Sequence, residues 1–193
     1  MSTREKILAA ARRAFDRKGL EGLSLREIAT RVGITPMAIY RHFESKEALV
    51  DALVLDALDE WSARVQALPH AEGLAKVEQM GEAFLDFALG EPRRFEAAFL
   101  LPSRKARRYP DDFAAGRSPA GNIQLKALEE GIRQGAAAAA SPVEIMLINS
   151  ALSQGLVTLY RAGRIAGGEE DFRALYRRAM RRVFRSFFLE QPK

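Results

Sequence analysis

The sequence has no cysteine, only two histidines, and no uninterrupted apolar run long enough to cross a membrane. Without cysteine, the chain can form no disulfide and has no thiol for catalysis, redox sensing or metal binding. A membrane helix needs about 18 or more consecutive apolar residues, and the N-terminal MSTREKILAA lacks the apolar segment of a signal peptide. These absences predict a cytoplasmic protein that does not associate with a membrane.

An enzyme is not expected either. Only two histidines are present, His42 and His70, of which His70 follows a helix-ending proline, and the chain contains no cysteine nucleophile and no G-x-S-x-G, P-loop or H-E-x-x-H motif. The paired carboxylates Asp111-Asp112 fall in a predicted loop without partners, and Asp59-Glu60 fall on a predicted helix surface. The sequence therefore predicts no catalytic site, no metal site and no cofactor.

Positive charge is concentrated at the N-terminus of a chain whose formal net charge is +5. Residues 1–47 contain 10 Lys and Arg against 6 Asp and Glu, a net charge of +4, whereas residues 48–193 contain 20 against 19. A local basic excess of this kind is typical of a surface that binds nucleic acid.

The stretch from Ser24 to about Phe43 has the pattern of two short helices joined by a tight turn. Ser24 can cap the first helix, and Gly33 can end it because glycine adopts the left-handed conformation without strain. Thr35 followed by Pro36 is typical of the start of a second helix, which we expect to end near Phe43. This arrangement predicts a helix-turn-helix motif that places one helix in the major groove of DNA.

Side chains expected on the outside of this motif suit DNA. Small or short side chains at the start of the second helix allow close approach to base edges, and Met37 can contact a thymine methyl group. Tyr40, His42 and Lys46 are residue types that bind phosphate, and Arg26 could reach a guanine or a phosphate.

The same stretch resembles the tetracycline-repressor (TetR) family of bacterial transcription regulators. The residues that support the resemblance are Gly19, Leu23-Ser24-Leu25-Arg26-Glu27-Ile28-Ala29, Val32-Gly33-Ile34, Ile39-Tyr40-Arg41-His42-Phe43 and Ser45-Lys46-Glu47-Ala48-Leu49. Carried over by position, the resemblance implies DNA contacts from Ser24, Arg26, Thr35, Pro36, Met37, Tyr40, His42 and Lys46. Ala38 departs from the polar residue or glycine that many members have at this position.

Helical periodicity continues through the rest of the chain. We expect helices over about 2–18, 24–32, 36–43, 45–68, 72–89, 92–101, 118–140, 142–162 and 169–189, with a charged loop over 103–116. Nine helices without a strand predict an all-α fold of the TetR type. We expect a helix-turn-helix domain over residues 1–47 and a helical domain for effector binding and dimerisation over residues 48–193.

By the resemblance, the last two helices, about 142–162 and 169–189, form a homodimer interface as a four-helix bundle. Their small residues Ser150, Ala151, Ser153 and Gly155 would allow close approach. The apolar faces could instead fill the core of a single chain, or do both. A dimer would read a palindromic operator, because one short helix contacts only a few base pairs.

The resemblance also implies a small-molecule effector in the C-terminal domain. Candidate lining residues are Met80, Phe84, Phe87, Phe95, Phe99, Met146, Asn149, Gln154 and Tyr160, most of which could equally be core residues. Asn149 and Gln154 differ from the others, because a buried amide needs a hydrogen-bond partner.

The function predicted from these features is a homodimeric repressor of transcription that a small, largely apolar molecule releases from DNA. An alternative is a regulator whose C-terminal domain only dimerises or binds a protein partner, and a third is a sequence-indifferent architectural DNA-binding protein. For two basic segments the sequence is compatible either with a solvated surface or with a role in binding. They are Arg104-Lys105-Ala106-Arg107-Arg108 and the arginine face of the last helix, Arg173, Arg177, Arg178, Arg181, Arg182 and Arg185.

Overall fold

The computed structural model describes residues 1–134 and 140–188, and the regular elements in this part of the chain are helical. Its ten α-helices are α1 (Thr3–Lys18), α2 (Leu25–Val32), α3 (Pro36–Ile39), α4 (Lys46–Gln66), α5 (Gly73–Gly90), α6 (Pro92–Phe99), α7 (Asp111–Ala114), α8 (Pro119–Arg133), α9 (Pro142–Arg161) and α10 (Glu169–Phe187). A 3-10 turn over Leu20–Gly22 follows α1. The predicted all-α fold is therefore confirmed.

Most helices begin where a local signal predicts. The hydroxyls of Ser2, Ser118 and Ser141 each accept the backbone N–H three residues further on, at 3.2, 3.2 and 3.3 Å. Proline occupies the first turn of α3, α6, α8 and α9, where its missing N–H removes no helical hydrogen bond. These starts depend on neighbouring residues alone, which is why the sequence predicts them.

Two helices differ from the prediction. We expected the second helix of the motif to reach Phe43, but α3 ends at Ile39 and a turn follows over residues 40–42. There the backbone N–H groups of Tyr40, Arg41 and His42 bond to the carbonyl three residues back, which is the tighter geometry common at helix ends. The second difference is α7, a single turn inside the predicted loop 103–116. The structure does not describe residues 135–139, which include all of the alanine tract 136–140 except Ala140, and it does not describe Leu189.

The described chain divides into two compact units. The first consists of residues 1–61 and 91–106, and the second of residues 62–90 and 107–193. The first unit therefore extends beyond the helix-turn-helix motif and includes α4 as far as Trp61 and all of α6. The functional division that the sequence predicts, at residue 47, stays a prediction.

Each unit has its own apolar core. In the first, Ile7, Phe15, Ile28, Leu49 and Phe95 are fully buried. In the second, a buried cluster joins α5, α8 and α9, and aromatic residues of α10 pack against it. The cluster consists of Val77, Ala127, Leu128, Ile145 and Met146.

A buried ion-pair network also connects helices of the first unit. Arg94, on α6, is only 4% exposed, and its guanidinium lies 2.7 Å from Asp56 Oδ2 and 2.7 Å from Glu60 Oε2, both on α4. Arg12 of α1 approaches the same two carboxylates at 3.6 and 3.0 Å. The network thus ties α1 and α6 to α4, and no local pattern in the sequence indicates it.

A second polar contact in the first unit holds the segment after α6. Asp51 is buried on α4 and accepts hydrogen bonds from the Ser103 hydroxyl at 2.7 Å and the Arg104 backbone N–H at 3.1 Å. Burial opposes ionisation of this carboxyl, but the hydrogen bonds from Ser103 and Arg104 outweigh burial and hold the pKa of Asp51 below its usual value. Asp51 is therefore ionised, and its carboxylate holds the segment after α6 in place.

The apolar helix α9 is long enough to cross a membrane by length and composition alone, yet only 28% of its most apolar window is buried within the chain. Leu147, Ile148 and Leu159 are 39%, 36% and 42% exposed. A helix of this kind occurs in membranes and also in protein interfaces, where a partner covers the exposed face.

Candidate functional site

The turn between α2 and α3 is set by Gly33. Its φ of +77° lies in the left-handed region, and the N–H of Ile34 bonds to the carbonyl of Ala29 at 3.0 Å. This pattern ends α2 abruptly and leaves only three residues, Gly33, Ile34 and Thr35, before α3 begins. The helix-turn-helix geometry therefore follows from the left-handed backbone conformation at Gly33.

The side chains at the start of α3 are exposed, whereas those on its inner side pack in the core of the first unit. Thr35 Oγ1 accepts the N–H of Ala38 at 3.2 Å and so caps the helix. Ile39 and Phe43 are 1% and 4% exposed and fix the turn in the core of the unit. The side chains of Pro36 and Met37 are left facing outward.

Of the eight predicted DNA-contacting residues, seven are exposed and Ser24, which caps α2, is half-buried. Met37 is 72% exposed and Tyr40 47%, which is unusual for large apolar and aromatic side chains without a partner. The exposed set is Arg26, Thr35, Pro36, Met37, Tyr40, His42 and Lys46. The structure thus presents the predicted residues at a surface, and their contacts with DNA stay a prediction.

Two further features adjoin this surface. Ser45 Oγ accepts the N–H of Ala48 at 3.1 Å, so α4 begins beside the exposed Lys46. The guanidinium of Arg4 lies over the ring of Phe43 at 4.8 Å from its centroid, which places a cation of α1 next to the end of the motif. The sequence alone does not indicate this contact, because it joins residues far apart in the chain.

The second unit contains a cavity of about 640 Å³ between α5 and α10, a size typical of small-molecule sites. Much of its lining is apolar, and Leu68, Pro69, Val77, Ala83, Met180 and Phe184 contribute to it. Tyr176 lies at its inner side, where its hydroxyl lies 3.0 Å from Ser153 Oγ and 3.2 Å from the carbonyl of Gly81. Burial raises the pKa of Tyr176 to about 12, so the phenol stays neutral at physiological pH.

Two residues that contribute to the cavity lining each have a buried amide oxygen without a hydrogen-bond partner among the described residues. Asn149 of α9 is 4% exposed, and its Oδ1 makes no hydrogen bond. Gln79 of α5 lines the same cavity, and its Oε1 is also unpartnered. Such groups are rare in folded proteins because each costs about 1–3 kcal/mol.

Charged groups at the cavity form ion pairs. Arg177 bonds to Glu82 at 2.7 and 2.8 Å, and the binding raises the pKa of this arginine. Asp86 accepts a hydrogen bond from Arg173 at 2.6 Å. Sequence reasoning missed the cavity residues Gln79 and Tyr176 as site residues, because α5 and α10 meet only in the folded unit.

The nine predicted ligand-lining residues are distributed over several environments. Asn149 lines the cavity, whereas Met80, Phe84, Phe87 and Met146 are buried residues of the second unit. Tyr160 stacks on Phe172 with ring centroids 4.1 Å apart, and Gln154 is half-buried on α9. Phe95 and Phe99 belong to the first unit, where Phe99 also packs against Trp61. The structure does not bring the nine together at this cavity.

Several arginines of the two basic segments form hydrogen bonds or ion pairs within the chain. Arg104 pairs with Asp51 at 3.3 Å, Arg107 donates to the carbonyl of Arg117 at 2.8 Å, and the N–H of Arg108 donates to Asp112. On α10, Arg173 and Arg177 are paired as described above. The remaining arginines of that face, Arg178, Arg181, Arg182 and Arg185, are exposed.

Comparison with known proteins gives matches over both halves of the chain. The profile "Bacterial regulatory proteins, tetR family" matches residues 7–53, and "Tetracyclin repressor-like, C-terminal domain" matches residues 77–183. The HTH-type transcriptional regulator UidR of Escherichia coli is 36% identical over 83 residues, 43% of this chain and 41% of UidR. Tetracycline repressor protein class A from transposon 1721 of Escherichia coli is 28% identical over 166 residues, 84% of this chain and 69% of that protein.

Solved structures are similar over nearly the whole chain. A Rhodococcus sp. RHA1 protein of unknown function has a TM-score of 0.77 at 22% identity, with 98% of this chain and 97% of that chain covered. A putative TetR-family regulator from Vibrio parahaemolyticus has a TM-score of 0.64 at 20% identity and covers 98% of this chain and 100% of its own. At these identities the likeness shows the fold alone.

Proposed function

Because the chain belongs to the TetR family of bacterial regulatory proteins, and is thus a DNA-binding transcriptional regulator rather than an enzyme, we propose its mode of action. It is a cytoplasmic homodimeric repressor that binds a palindromic operator. A small, largely apolar molecule bound in the second unit releases it from DNA. The relative named as a tetracycline repressor supports repression as the mode of control.

The observation that supports this proposal most is the exposed start of α3. Thr35, Pro36 and Met37 form a short, uncharged tip that can approach base edges, with Met37 positioned to contact a thymine methyl group. Tyr40, His42 and Lys46 follow this tip in the chain, are exposed, and are residue types that bind phosphate. Base contacts at the centre and phosphate contacts around it are the arrangement that helix-turn-helix proteins use.

Dimerisation is supported by the exposed face of α9. Ile148, Ala151, Gly155 and Leu159 recur at three- and four-residue spacing, and all four are exposed in the single chain. A methyl group at Gly155 would meet nothing within 4 Å, so the fold of the chain itself does not require glycine there. A second copy packed closely against this face would require it, because small residues allow helix backbones to approach.

The proposal is tested by selecting binding sites from a random duplex pool with the purified protein. We expect a palindromic consensus whose half-sites are about one helical turn or more apart. If each half makes about four phosphate contacts, log K should fall with log salt concentration with a slope of roughly −7. Recovery of unrelated sequences would contradict a sequence-specific repressor and favour an architectural DNA-binding protein.

The first prediction concerns Tyr40. Tyr40→Phe removes the hydroxyl that would bind phosphate, so affinity should fall about tenfold for specific and nonspecific duplexes alike. Tyr109→Phe is the matched control, since Tyr109 is similarly exposed, at 40%, but lies outside the motif. Fluorescence anisotropy with both duplexes measures the effect. Unchanged affinity of Tyr40→Phe would show that the Tyr40 hydroxyl does not bind phosphate.

Replacing Met37 should instead change sequence preference. Met37→Ala leaves the fold intact because the side chain is 72% exposed, but it removes an apolar contact with one base pair. We expect discrimination at that position to fall by about 1–3 kcal/mol, with nonspecific affinity unchanged. Leu55→Ala is the control, since it truncates an exposed apolar side chain of α4 that lies outside the predicted contact set. Repeating the site selection with each variant shows the change, and an unaltered consensus for Met37→Ala would contradict the proposed contact.

A further inference from the structure

We propose that Glu78 of α5 and Arg181 of α10 are a gate, which closes the mouth of the cavity between these helices when the two side chains pair and opens it when they part. The inference rests on the proposed function, since the cavity is where the effector would bind, and it adds how a ligand gains access. Gating is nevertheless a property of the second unit and can be measured without DNA.

Two ion pairs join α5 and α10 in a regular antiparallel register. Asp86 pairs with Arg173 at 2.6 Å, and about one helical turn away Glu82 pairs with Arg177 at 2.7 Å. Moving four residues back along α5 therefore corresponds to moving four residues forward along α10. Residues four apart lie on the same face of a helix, so the next step in this register brings another acidic residue of α5 opposite another arginine of α10.

This next step consists of Glu78 and Arg181, and here the series of ion pairs is interrupted. Both residues line the cavity, and both are exposed. In the described part of the chain, the ion pairs between α5 and α10 end at Glu82 and Arg177, one turn away from the gate. The structure therefore shows the gate open, at the place where the cavity meets solvent.

The side chains of the gate are suited to pairing across the cavity mouth. The neighbouring pair of Glu82 and Arg177 consists of the same two residue types and already connects the two helices. Exposed side chains change rotamer within picoseconds to nanoseconds, so we expect side-chain rotation rather than helix movement to open and close the gate. In the closed state two charged groups would cover a cavity whose lining is apolar at Met180 and Phe184.

The neighbouring contacts confine this opening to the gate. Arg173 is bonded to Glu169 as well as to Asp86, and its side chain is only 23% exposed. The hydroxyl of Tyr176 lies 3.2 Å from the carbonyl of Gly81, a further contact between α10 and α5. These contacts hold the two helices together beside the cavity while the gate pair separates.

The expected strength of the pair suits a gate rather than a permanent contact. An ion pair between exposed side chains is weak, because water solvates both charges and pairing restricts two flexible side chains. The closed state is then favoured over the open state by about fivefold at most. Such a gate slows the exchange of a ligand without preventing it, and salt should open it by screening the two charges.

The test follows the binding of N-phenyl-1-naphthylamine, a neutral dye that fluoresces in apolar sites, to the full chain by stopped-flow fluorescence. Glu78→Gln and Arg181→Gln should each raise the association and dissociation rate constants by about two- to fivefold. The dissociation constant should change little, because a gate that closes over the empty and the filled cavity slows both directions equally. Glu129→Gln and Arg182→Gln change exposed residues outside the cavity lining and should leave both rate constants unchanged.

Exchanging the two charges separates pairing from the effect of either residue alone. The double variant Glu78→Arg with Arg181→Glu should return both rate constants to the original values. High salt should accelerate dye exchange in the original and the charge-exchanged protein, but not in the two glutamine variants. Unchanged rates in both glutamine variants, or a charge-exchanged protein as fast as they are, would overturn the proposal. Failure of the dye to bind up to its solubility limit would also overturn it, because the gate would then have no accessible cavity to close.

Failure of the gate and failure of the proposed function give different results. If the site selection finds no operator, sequence-specific repression fails, and the dye kinetics still decide whether Glu78 and Arg181 form a gate. If the dye kinetics show no gate while the protein selects a palindromic operator, the gate fails and the proposed repressor stands.

Discussion

Gly155→Arg is expected to convert the proposed dimer to a monomer and to weaken operator binding about a hundredfold or more. Gly155 lies at the centre of the exposed apolar face of α9, and an arginine there places a charge and a long side chain where the second copy must approach. A dimer binds its second half-site at high effective concentration, an advantage of about 10²–10⁴ that a monomer loses. The slope of log K against log salt concentration should also fall to about half, because half of the phosphate contacts are lost.

The single chain should tolerate this substitution, which makes the experiment interpretable. Open space surrounds Gly155 in the isolated chain, and arginine is a better helix former than glycine. Sedimentation velocity measures the oligomeric state, and circular dichroism verifies the helix content. Gln66→Arg adds the same charge at an exposed position of α4 and should stay dimeric. A Gly155→Arg protein that remains a dimer with unchanged operator affinity would show that the interface lies elsewhere.

Arg94→Met is expected to destabilise the first unit by about 3 kcal/mol or more. The substitution leaves Asp56 and Glu60 together without the buried cation between them, and removing one partner of a buried ion pair costs roughly 3–5 kcal/mol. Asp56 and Glu60 keep a contact with Arg12 and some exposure to water, which limits the loss. Because domains are stable by only about 5–15 kcal/mol, operator binding should fail well below the normal melting temperature.

Urea unfolding at neutral pH measures this effect through the transition midpoint. Arg133→Met is the matched control, since its pair with Glu130 has a 69% exposed arginine and should contribute less than about 1 kcal/mol. Arg94→Lys should be intermediate, because lysine retains the charge but cannot bond to both carboxylates in the same planar geometry. Equal effects of Arg94→Met and Arg133→Met would show that the network does not stabilise the unit.

The sequence predicts the start of each helix in the helix-turn-helix motif and the exposure of its side chains, because their determinants are local. Ser24, Gly33 and Thr35 define helix ends through contacts within a few residues, and helical periodicity then decides which side chains face outward. The end of α3 was predicted wrongly, because the same residues can form an α-helical turn or a tighter one, and packing of Phe43 in the core decides between them. The turn α7 is too short for periodicity, and an ion pair between Asp112 and Arg117 accompanies it.

The cavity could not be predicted in the same way. An apolar side chain at a helical position is compatible with a core or with a ligand site, and Phe84 and Phe87 are buried residues outside the described lining. Gln79 and Tyr176 are far apart in the chain and meet at the cavity only through packing of α5 and α10. Asn149 was identifiable because an amide among apolar helix positions needs a partner, which is a chemical signal rather than a positional one.

The most direct test of two recognition helices acting together is titration of the selected operator with one half-site scrambled. The intact palindrome should bind two chains per duplex in a single cooperative step. The half-scrambled duplex should bind about a hundredfold more weakly, because only one α3 finds its sequence. One chain bound per intact duplex, or equal affinity for the intact and half-scrambled duplexes, would contradict a dimeric repressor that reads a palindrome.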